Sequence, residues 1–167
     1  ELTRPLERVE MDEWKVDLMT LLATSGIWSI LSDEEKASLG LEEGKKTRWF
    51  LTAAMCTTTR CVLALKLSRA PSARSAMQTI DMIVRDKGIW ADAVGALTPW
   101  NMSGTPELIV TDCGSAFIDY DTRAAATDLG INIDEGPAGM PEFRARIERL
   151  FSVNSRAAKP SSTERIW

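Results

Sequence analysis

The 167-residue chain contains 44% hydrophobic and 26% charged residues, a composition typical of one ordinary globular domain with a buried core. Its formal net charge of −4 argues against a protein that simply coats DNA, because binding to phosphates needs clustered lysine and arginine. The chain contains no histidine. Histidine general bases are therefore excluded, and any metal site must be built from carboxylates, which favour Mg²⁺ or Mn²⁺ over structural zinc.

The first part of the sequence predicts a strand followed by a surface excursion. Apolar residues with polar ones interspersed indicate a strand between Arg8 and Leu22 that continues past Asp12. The run Ser32-Asp33-Glu34-Glu35 is a capping box that should begin a short helix, which ends near Leu39 before a glycine. We interpret residues 25–46 as a surface insertion.

The middle of the sequence predicts a hairpin and a long helix. The β-prone runs Trp49 to Thr57 and Cys61 to Ser68 should pair with each other and, with the first strand, form an antiparallel meander. Ser72 should cap a helix through Lys87 that Gly88 ends. One face of this helix is apolar, with Ala76, Met77, Ile80, Ile83 and Val84.

The remaining part alternates strands and helices. We predict a buried strand from Leu108 to Thr111, a helix from about Asp121 to Leu129 and a strand from Ile131 to Asp134. A loop at 136–139 should precede a last helix from Pro141 to about Ser155. The order β-β-β-α-β-α-β-α predicts a mixed α/β sheet, an antiparallel three-strand meander plus parallel strands, flanked by helices.

Ligand sites in such sheets lie at the carboxyl ends of the strands, where we place Asp12 and Asp112. Three cysteines form no CxxC pair and are interpreted as reduced thiols of a cytoplasmic protein: Cys56, Cys61 and Cys113. The six tryptophans, among them Trp14, Trp28, Trp49, Trp90 and Trp100, favour packing in the core or an interface over base stacking.

Three motifs carry a resemblance to a known family. They are Val9-Glu10-Met11-Asp12, Ile109 to Phe117 around Asp112, and Arg146 to Phe151 around Glu148. Together they resemble the integrase catalytic core of the retroviral integrase and bacterial DDE transposase superfamily, and the 35 residues between Asp112 and Glu148 match its D,D-35-E spacing. Cys113 and Ala116 depart from the family pattern, where Asn and Glu are usual.

The resemblance implies a ribonuclease-H-like fold that cleaves and joins DNA strands. It implies two divalent ions, Mg²⁺ or Mn²⁺, with Asp12 bridging both, Asp112 completing one site and Glu148 the other. It also implies transposon-end and target DNA as partners, on which the protein would assemble as a homo-oligomer. It implies no association with a membrane. Residues 1–167 would then be the catalytic core of a longer bacterial transposase acting in the cytoplasm at the nucleoid.

Other interpretations of the same residues stay open. Asp112 could merely begin a turn, and Asp12 could belong to a solvated acidic edge with Glu10, Glu13 and Asp17. Glu148 could be a surface residue paired with Arg144. Four arginines suit either DNA phosphates or a solvated helix face: Arg144, Arg146, Arg149 and Arg156. The chain could also be a nuclease that only hydrolyses, or an inactive DNA-binding and assembly module.

Overall fold

A computed structural model describes residues 2–24, 26–42, 46–111, 119–135, 147 and 149–150. Its strands are β1 (Val9–Asp17), β2 (Arg48–Cys56), β3 (Val62–Ser68), β4 (Leu108–Thr111) and β5 (Asn132–Glu135). Its helices are α1 (Leu18–Thr24), α2 (Asp33–Ser38), α3 (Ala73–Val84), α4 (Gly88–Ala93) and α5 (Tyr120–Asp128), with a 3-10 turn at Ile27–Ser29.

The five strands form one mixed sheet in the order β3-β2-β1-β4-β5. The pairs β1–β2 and β2–β3 are antiparallel, as the predicted meander requires. The pairs β1–β4 and β4–β5 are parallel. The predicted α/β class, with helices against a sheet of mixed direction, is therefore confirmed, and β1 occupies the centre of the sheet.

The main core lies between the sheet and the helices α3 and α5. Its buried members are aliphatic and small side chains of both layers: Val9, Met11, Ala54, Cys56, Leu63, Ala64, Ala76, Ile80, Ile83, Ile109, Ala126 and Ile131. Ser72 begins α3 with a capping box, in which its hydroxyl accepts the N–H of Ser75. The apolar face predicted for this helix is the face that packs on the sheet, because Ala76, Ile80 and Ile83 are all buried.

Two predicted boundaries are wrong. The first strand ends at Asp17, and Leu18 to Thr24 form α1, which the sequence reading missed. The helix α3 ends at Val84, and Gly88 begins α4 instead of ending α3. The reason for the second difference is Lys87, a fully buried residue whose ammonium donates hydrogen bonds to the carbonyls of Met82 and Arg85 at 3.1 and 2.9 Å.

Other local predictions are confirmed. Ser32 caps α2 with the predicted capping box, and α5 lies within one residue of the helix predicted from Asp121 to Leu129. Gly130 comes after its C-cap with a φ of 73°, in the left-handed region that glycine adopts at helix ends. Of the tryptophans predicted to pack, Trp100 is half-buried and its indole N–H donates to the carbonyl of Val62 at 2.7 Å, whereas Trp90 is exposed. The predicted loop at 136–139 lies outside the described residues, and so does most of the range predicted as the last helix, within which the described residues 147, 149 and 150 are helical. The described helices include none with the length and apolar character needed to span a bilayer.

Candidate active site

Asp12 is a buried carboxylate in the central strand. It is the fourth of the nine residues of β1, so our placement near the end of its own strand is wrong. It lies instead where the parallel ladder with β4 stops, because that ladder ends with Met11 opposite Thr111. The side chain is 7% exposed, and its Oδ1 accepts the backbone N–H of Glu13 at 2.8 Å. The sheet therefore presents Asp12 beside the carboxyl end of β4.

The face of the sheet that carries Asp12 is opposite the main core. Directly paired residues of neighbouring strands share a face, and the register pairs Asp12 with Ala53 and Glu10 with Met55. Ala53 and Met55 form a second apolar cluster with Ile147, against which Trp14, Leu51 and Leu150 also pack. The helical residues 147, 149 and 150 thus lie over the same face as Asp12.

Glu10 is a second carboxylate on this face, which we predicted only as part of a possible solvated acidic edge. It is fully buried, and it pairs with Met55 on one side and with Val110 on the other. Glu13, on the opposite face, accepts a hydrogen bond from the hydroxyl of Thr52 at 3.1 Å. Glu10 and Asp12 are therefore buried and do not form a solvated acidic edge. The signal for Glu10 was the alternation of side chains along a strand, which places residues 10 and 12 on the same face of the sheet.

Most of the other predicted site residues lie outside the described part of the chain. Asp112 and Glu148 lie outside the described residues, and so do three of the four candidate DNA-contacting arginines, Arg144, Arg146 and Arg156. Arg149 is helical and exposed. Among the described ranges, no three acidic or cysteine side chains converge on a point that could hold a metal ion. The structure therefore gives the position of one of the three predicted metal ligands, Asp12.

The donor chemistry at Asp12 fits a hard divalent cation. Carboxylate oxygens are the ligands that Mg²⁺ and Mn²⁺ prefer. The sequence contains no histidine, so it offers no imidazole nitrogen as a competing ligand. A nearly buried carboxylate is costly unless hydrogen bonds or positive charge compensate it. A metal ion at this edge would provide such compensation.

Cys56 is the last residue of β2 and lies at the end of the β1–β2 ladder where β1 begins. Burial raises the pKa of its thiol, but hydrogen bonds from the Thr59 side chain and from the N–H groups of Leu6, Thr59 and Thr58 outweigh it, so the pKa lies below its ordinary value. Cys56 pairs with Val9, three residues before Asp12 and so roughly 10 Å away along the strand. Its sulfur is a buried hydrogen-bond acceptor remote from the candidate site. Cys56 and Cys61 are both free thiols, as predicted for these two.

Comparison with known proteins supports one family. The family model described as the TnsB C-terminal domain matches residues 40–161. The transposase for transposon Tn552 of Staphylococcus aureus is 31% identical over 113 residues, which are 67% of this chain and 22% of that protein. The chain thus spans about a fifth of this curated relative's length.

Solved structures show the same fold at low identity. The HTLV-2 integrase catalytic core domain, in complex with magnesium in its trimeric form, matches with a TM-score of 0.50 and 15% identity, over 89% of this chain and 66% of that one. A chain of the simian T-cell lymphotropic virus intasome in complex with the PP2A regulatory subunit B56 gamma matches with a TM-score of 0.56 and 14% identity, over 98% of this chain and 50% of that one. These matches show that the fold is that of an integrase catalytic core.

Proposed function

The chain belongs to the TnsB C-terminal domain family, within the DDE transposase and integrase superfamily, and on that premise we propose that it cleaves and joins DNA strands with two divalent metal ions. The observation that carries the proposal is the position of Asp12, buried in the central strand where the β4 ladder stops, on the face covered by the helical residues 147, 149 and 150. Asp12, Asp112 and Glu148 are the proposed metal ligands.

The covalent chain limits how far Asp112 can lie from Asp12. Thr111 is the partner of Met11, and neighbouring strands lie roughly 4.8 Å apart. Consecutive Cα atoms are about 3.8 Å apart, so Asp112 follows directly from a residue that pairs beside Asp12. This supports a pair of carboxylates from β1 and the end of β4.

A similar argument applies to Glu148. Its two neighbours, Ile147 and Arg149, are both helical, and Ile147 is fully buried against Ala53 and Met55. Ala53 is the partner of Asp12, so Ile147 packs against the residue directly opposite Asp12. The packing of Ile147 on the Asp12 face supports Glu148, its neighbour in the sequence, as the third ligand.

The proposed residues would act by holding charge in place. Two Mg²⁺ ions, when bound, activate the attacking oxygen and stabilise the leaving oxygen of an in-line displacement. Asp12 would bridge the ions, Asp112 would complete one site and Glu148 the other. Three carboxylates repel each other without cations, so a rigid sheet and a packed helix are suited to keep them together. Water would serve as nucleophile for cleavage, and a sugar hydroxyl for joining.

The proposed partners are transposon-end and target DNA, on which the protein would assemble as a homo-oligomer. Arg149 is exposed on the helix that would carry Glu148, a position from which its guanidinium could reach a phosphate. We extend this proposal to Arg144, Arg146 and Arg156. These roles rest on the family and on charge.

The test is a nicking and strand-transfer assay with labelled transposon-end duplexes and Mn²⁺ or Mg²⁺. We expect metal-dependent nicking and joining by the native protein, both of which Asp12→Asn removes. The matched control is Asp81→Asn, an exposed carboxylate on α3 that pairs with Arg85. Nicking without joining would indicate a nuclease that only hydrolyses. Unchanged nicking by Asp12→Asn would overturn the proposed site.

A further inference from the structure

Asp12 and Trp14 lie on the same face of the sheet. Side chains alternate along a strand, so two residues of β1 that are separated by one other residue point the same way. Their Cα atoms are roughly 7 Å apart, because a strand rises about 3.4 Å per residue. Trp14 is therefore the next side chain of β1 after Asp12 on the face of the candidate site.

The helical residues Ile147 and Leu150 rest on a small group of apolar side chains of this face. Ile147 is buried together with two side chains of β2, and Leu150 packs against this cluster. We call the sheet side of the cluster the helix seat. Its described members are Trp14, Leu51, Ala53 and Met55.

Trp14 is the member of the helix seat that belongs to the same strand as Asp12. The other described members come from β2. Leu51 is the register partner of Trp14, so these two side chains are neighbours across the strands. On its other side β1 has no partner among the described strands at this level, because the β4 ladder stops at Met11. The half-buried indole therefore lies at the rim of the candidate site.

The position of Asp12 depends little on Trp14, whereas the position of the helical residues depends on it directly. The ladder with β2 holds β1 along all nine of its residues, and Val9 and Met11 anchor its other face in the main core. Residues 147 and 150 meet the sheet at the helix seat. An indole is the largest side chain there, and aromatic side chains bury about 150 to 250 Å² each. Its loss should loosen the helix and leave the strand in place.

We propose that Trp14 is a positioning residue that fixes residues 147–150 over Asp12 and so sets the place of the metal ligand Glu148. The inference rests on the proposed function, in which Asp12 and Glu148 hold the same pair of ions. Trp14 acts through packing and does not touch the ions. Side chains that hold metal ligands in place from behind typically change metal affinity or activity by about 10- to 100-fold.

The experiment compares Trp14→Ala and Trp14→Phe with the native protein. Alanine empties part of the helix seat, whereas phenylalanine keeps an aromatic ring. We expect Trp14→Ala to lower kcat for nicking and the affinity for Mn²⁺ on the order of tenfold each, with a native KM for transposon-end DNA. Trp14→Phe should restore most of both losses. Mn²⁺ affinity is measured without DNA, from the electron paramagnetic resonance signal of the free ion.

Amide hydrogen exchange in the metal-free protein gives a readout that is independent of activity. In Trp14→Ala, exchange at Ile147, Arg149 and Leu150 should accelerate on the order of tenfold, because these residues lose part of their support. Exchange within the β1–β2 ladder should stay native. Equal acceleration in the helix and throughout the ladder would show that Trp14 only stabilises the fold, and would overturn the inference.

The matched control is Trp49→Ala. Trp49 is also half-buried on the face of Asp12, where it pairs with Val16, and its ring centroid lies 5.6 Å from the guanidinium of Arg69. It is not among the described members of the helix seat. We expect native Mn²⁺ affinity and native kcat per folded molecule. A loss equal to that of Trp14→Ala, or native values in Trp14→Ala itself, overturns the inference.

A variant on the helix side keeps the test decisive if Trp14→Ala does not fold. Leu150→Ala removes a half-buried side chain that packs against the same cluster. Its Mn²⁺ affinity should fall as in Trp14→Ala, and native affinity would contradict the inference. Where both variants fold, the double variant should lose little more than the larger single loss, because both loosen one helix. Losses that multiply in full would show that the two side chains act independently, and would also overturn it.

The same variants separate this inference from the proposed function. If Asp12→Asn leaves nicking intact, the proposed active site fails, whatever Trp14 does. If Asp12→Asn removes nicking while Trp14→Ala keeps native kcat and Mn²⁺ affinity, the active site stands and the positioning role of Trp14 fails.

Discussion

On the face of the sheet beneath α3 and α5, β1 contributes Val9 and Met11 to an aliphatic core, whereas on the opposite face its alternate residues include Glu10 and Asp12. Both pairs are buried. Burial of the first pair stabilises the fold by removing apolar surface from water, while burial of the second carries a desolvation cost that hydrogen bonds must offset. One strand therefore supplies stability on one side and chemistry on the other.

The largest effect should come from neutralising the carboxylates. We expect Asp12→Asn, Asp112→Asn or Glu148→Gln to reduce strand nicking to background, because an amide keeps the shape while weakening ligation of Mg²⁺. For Asp12→Asn, stability to urea should stay equal or rise, since the amide oxygen can still accept the N–H of Glu13 and a buried charge is lost. Undiminished nicking in any of the three variants would remove that residue from the proposed site.

A substitution on the core face should instead lower the stability of the fold and leave strand nicking in place. Ile80→Ala, at a residue 2% exposed beneath the sheet, should lower the free energy of unfolding by about 2 to 5 kcal/mol, because the sheet closes only partly over the cavity. Nicking per folded molecule should remain. The matched control is Ile30→Ala, whose side chain is 81% exposed, and which should change unfolding in urea by less than about 0.5 kcal/mol. Equal effects at the two positions would contradict the assigned core.

A smaller effect concerns the buried Lys87 at the end of α3. Burial lowers the pKa of its ammonium below the ordinary value, while the nearby charge of Asp86 partly opposes this shift. Between the lowered folded pKa and the unfolded value of 10.5, the unfolded chain binds more protons, so stability should rise with pH across this window. Urea unfolding at several alkaline pH values measures the rise, and Lys87→Met should remove this contribution. An identical pH profile in the variant would exclude Lys87 as its source.

The smallest effect should lie outside both faces, at α2. Ser32→Ala removes the hydroxyl that accepts the N–H of Glu35 at 3.2 Å and should cost about 1 kcal/mol of local stability. Amide hydrogen exchange in α2 should accelerate while nicking and the core face stay as they were. Loss of nicking in this variant would show that α2 is coupled to the Asp12 face.

The sequence predicted the parts of the fold that depend on local pattern. The strand Leu108 to Thr111 was found because a short apolar run ends in a turn signal, and the hairpin because two β-prone runs flank a polar turn. The helix α1 was missed because Leu18 to Ala23 is an uncharged, mostly apolar run that continues β1 without a break in composition. The end of α3 depends on Lys87, whose capping contact a pattern of apolar residues does not encode.

For the candidate site too, the part carried by a local motif was predicted, and the parts set by distant segments of the chain were not. Asp12 was identified through a motif, but its distance from the end of β1 was misjudged, because the edge is set by where β4 stops. The burial of Glu10 depends on Val110 and Met55, which come from distant parts of the chain. Composition near Glu10 suggested a solvated edge because the sequence does not show which strands will lie on either side.

The parallel pairing of Val9 with Ile109 also bears on the order of folding. It closes a loop of 100 residues, whereas the hairpin of β2 and β3 closes over a turn of a few residues. Closing the longer loop costs more chain entropy and is favoured only after other contacts have brought its ends together. The hairpin should therefore form early and the junction of β1 with β4 late, so a partly folded chain would lack the edge at which DNA is proposed to be cut.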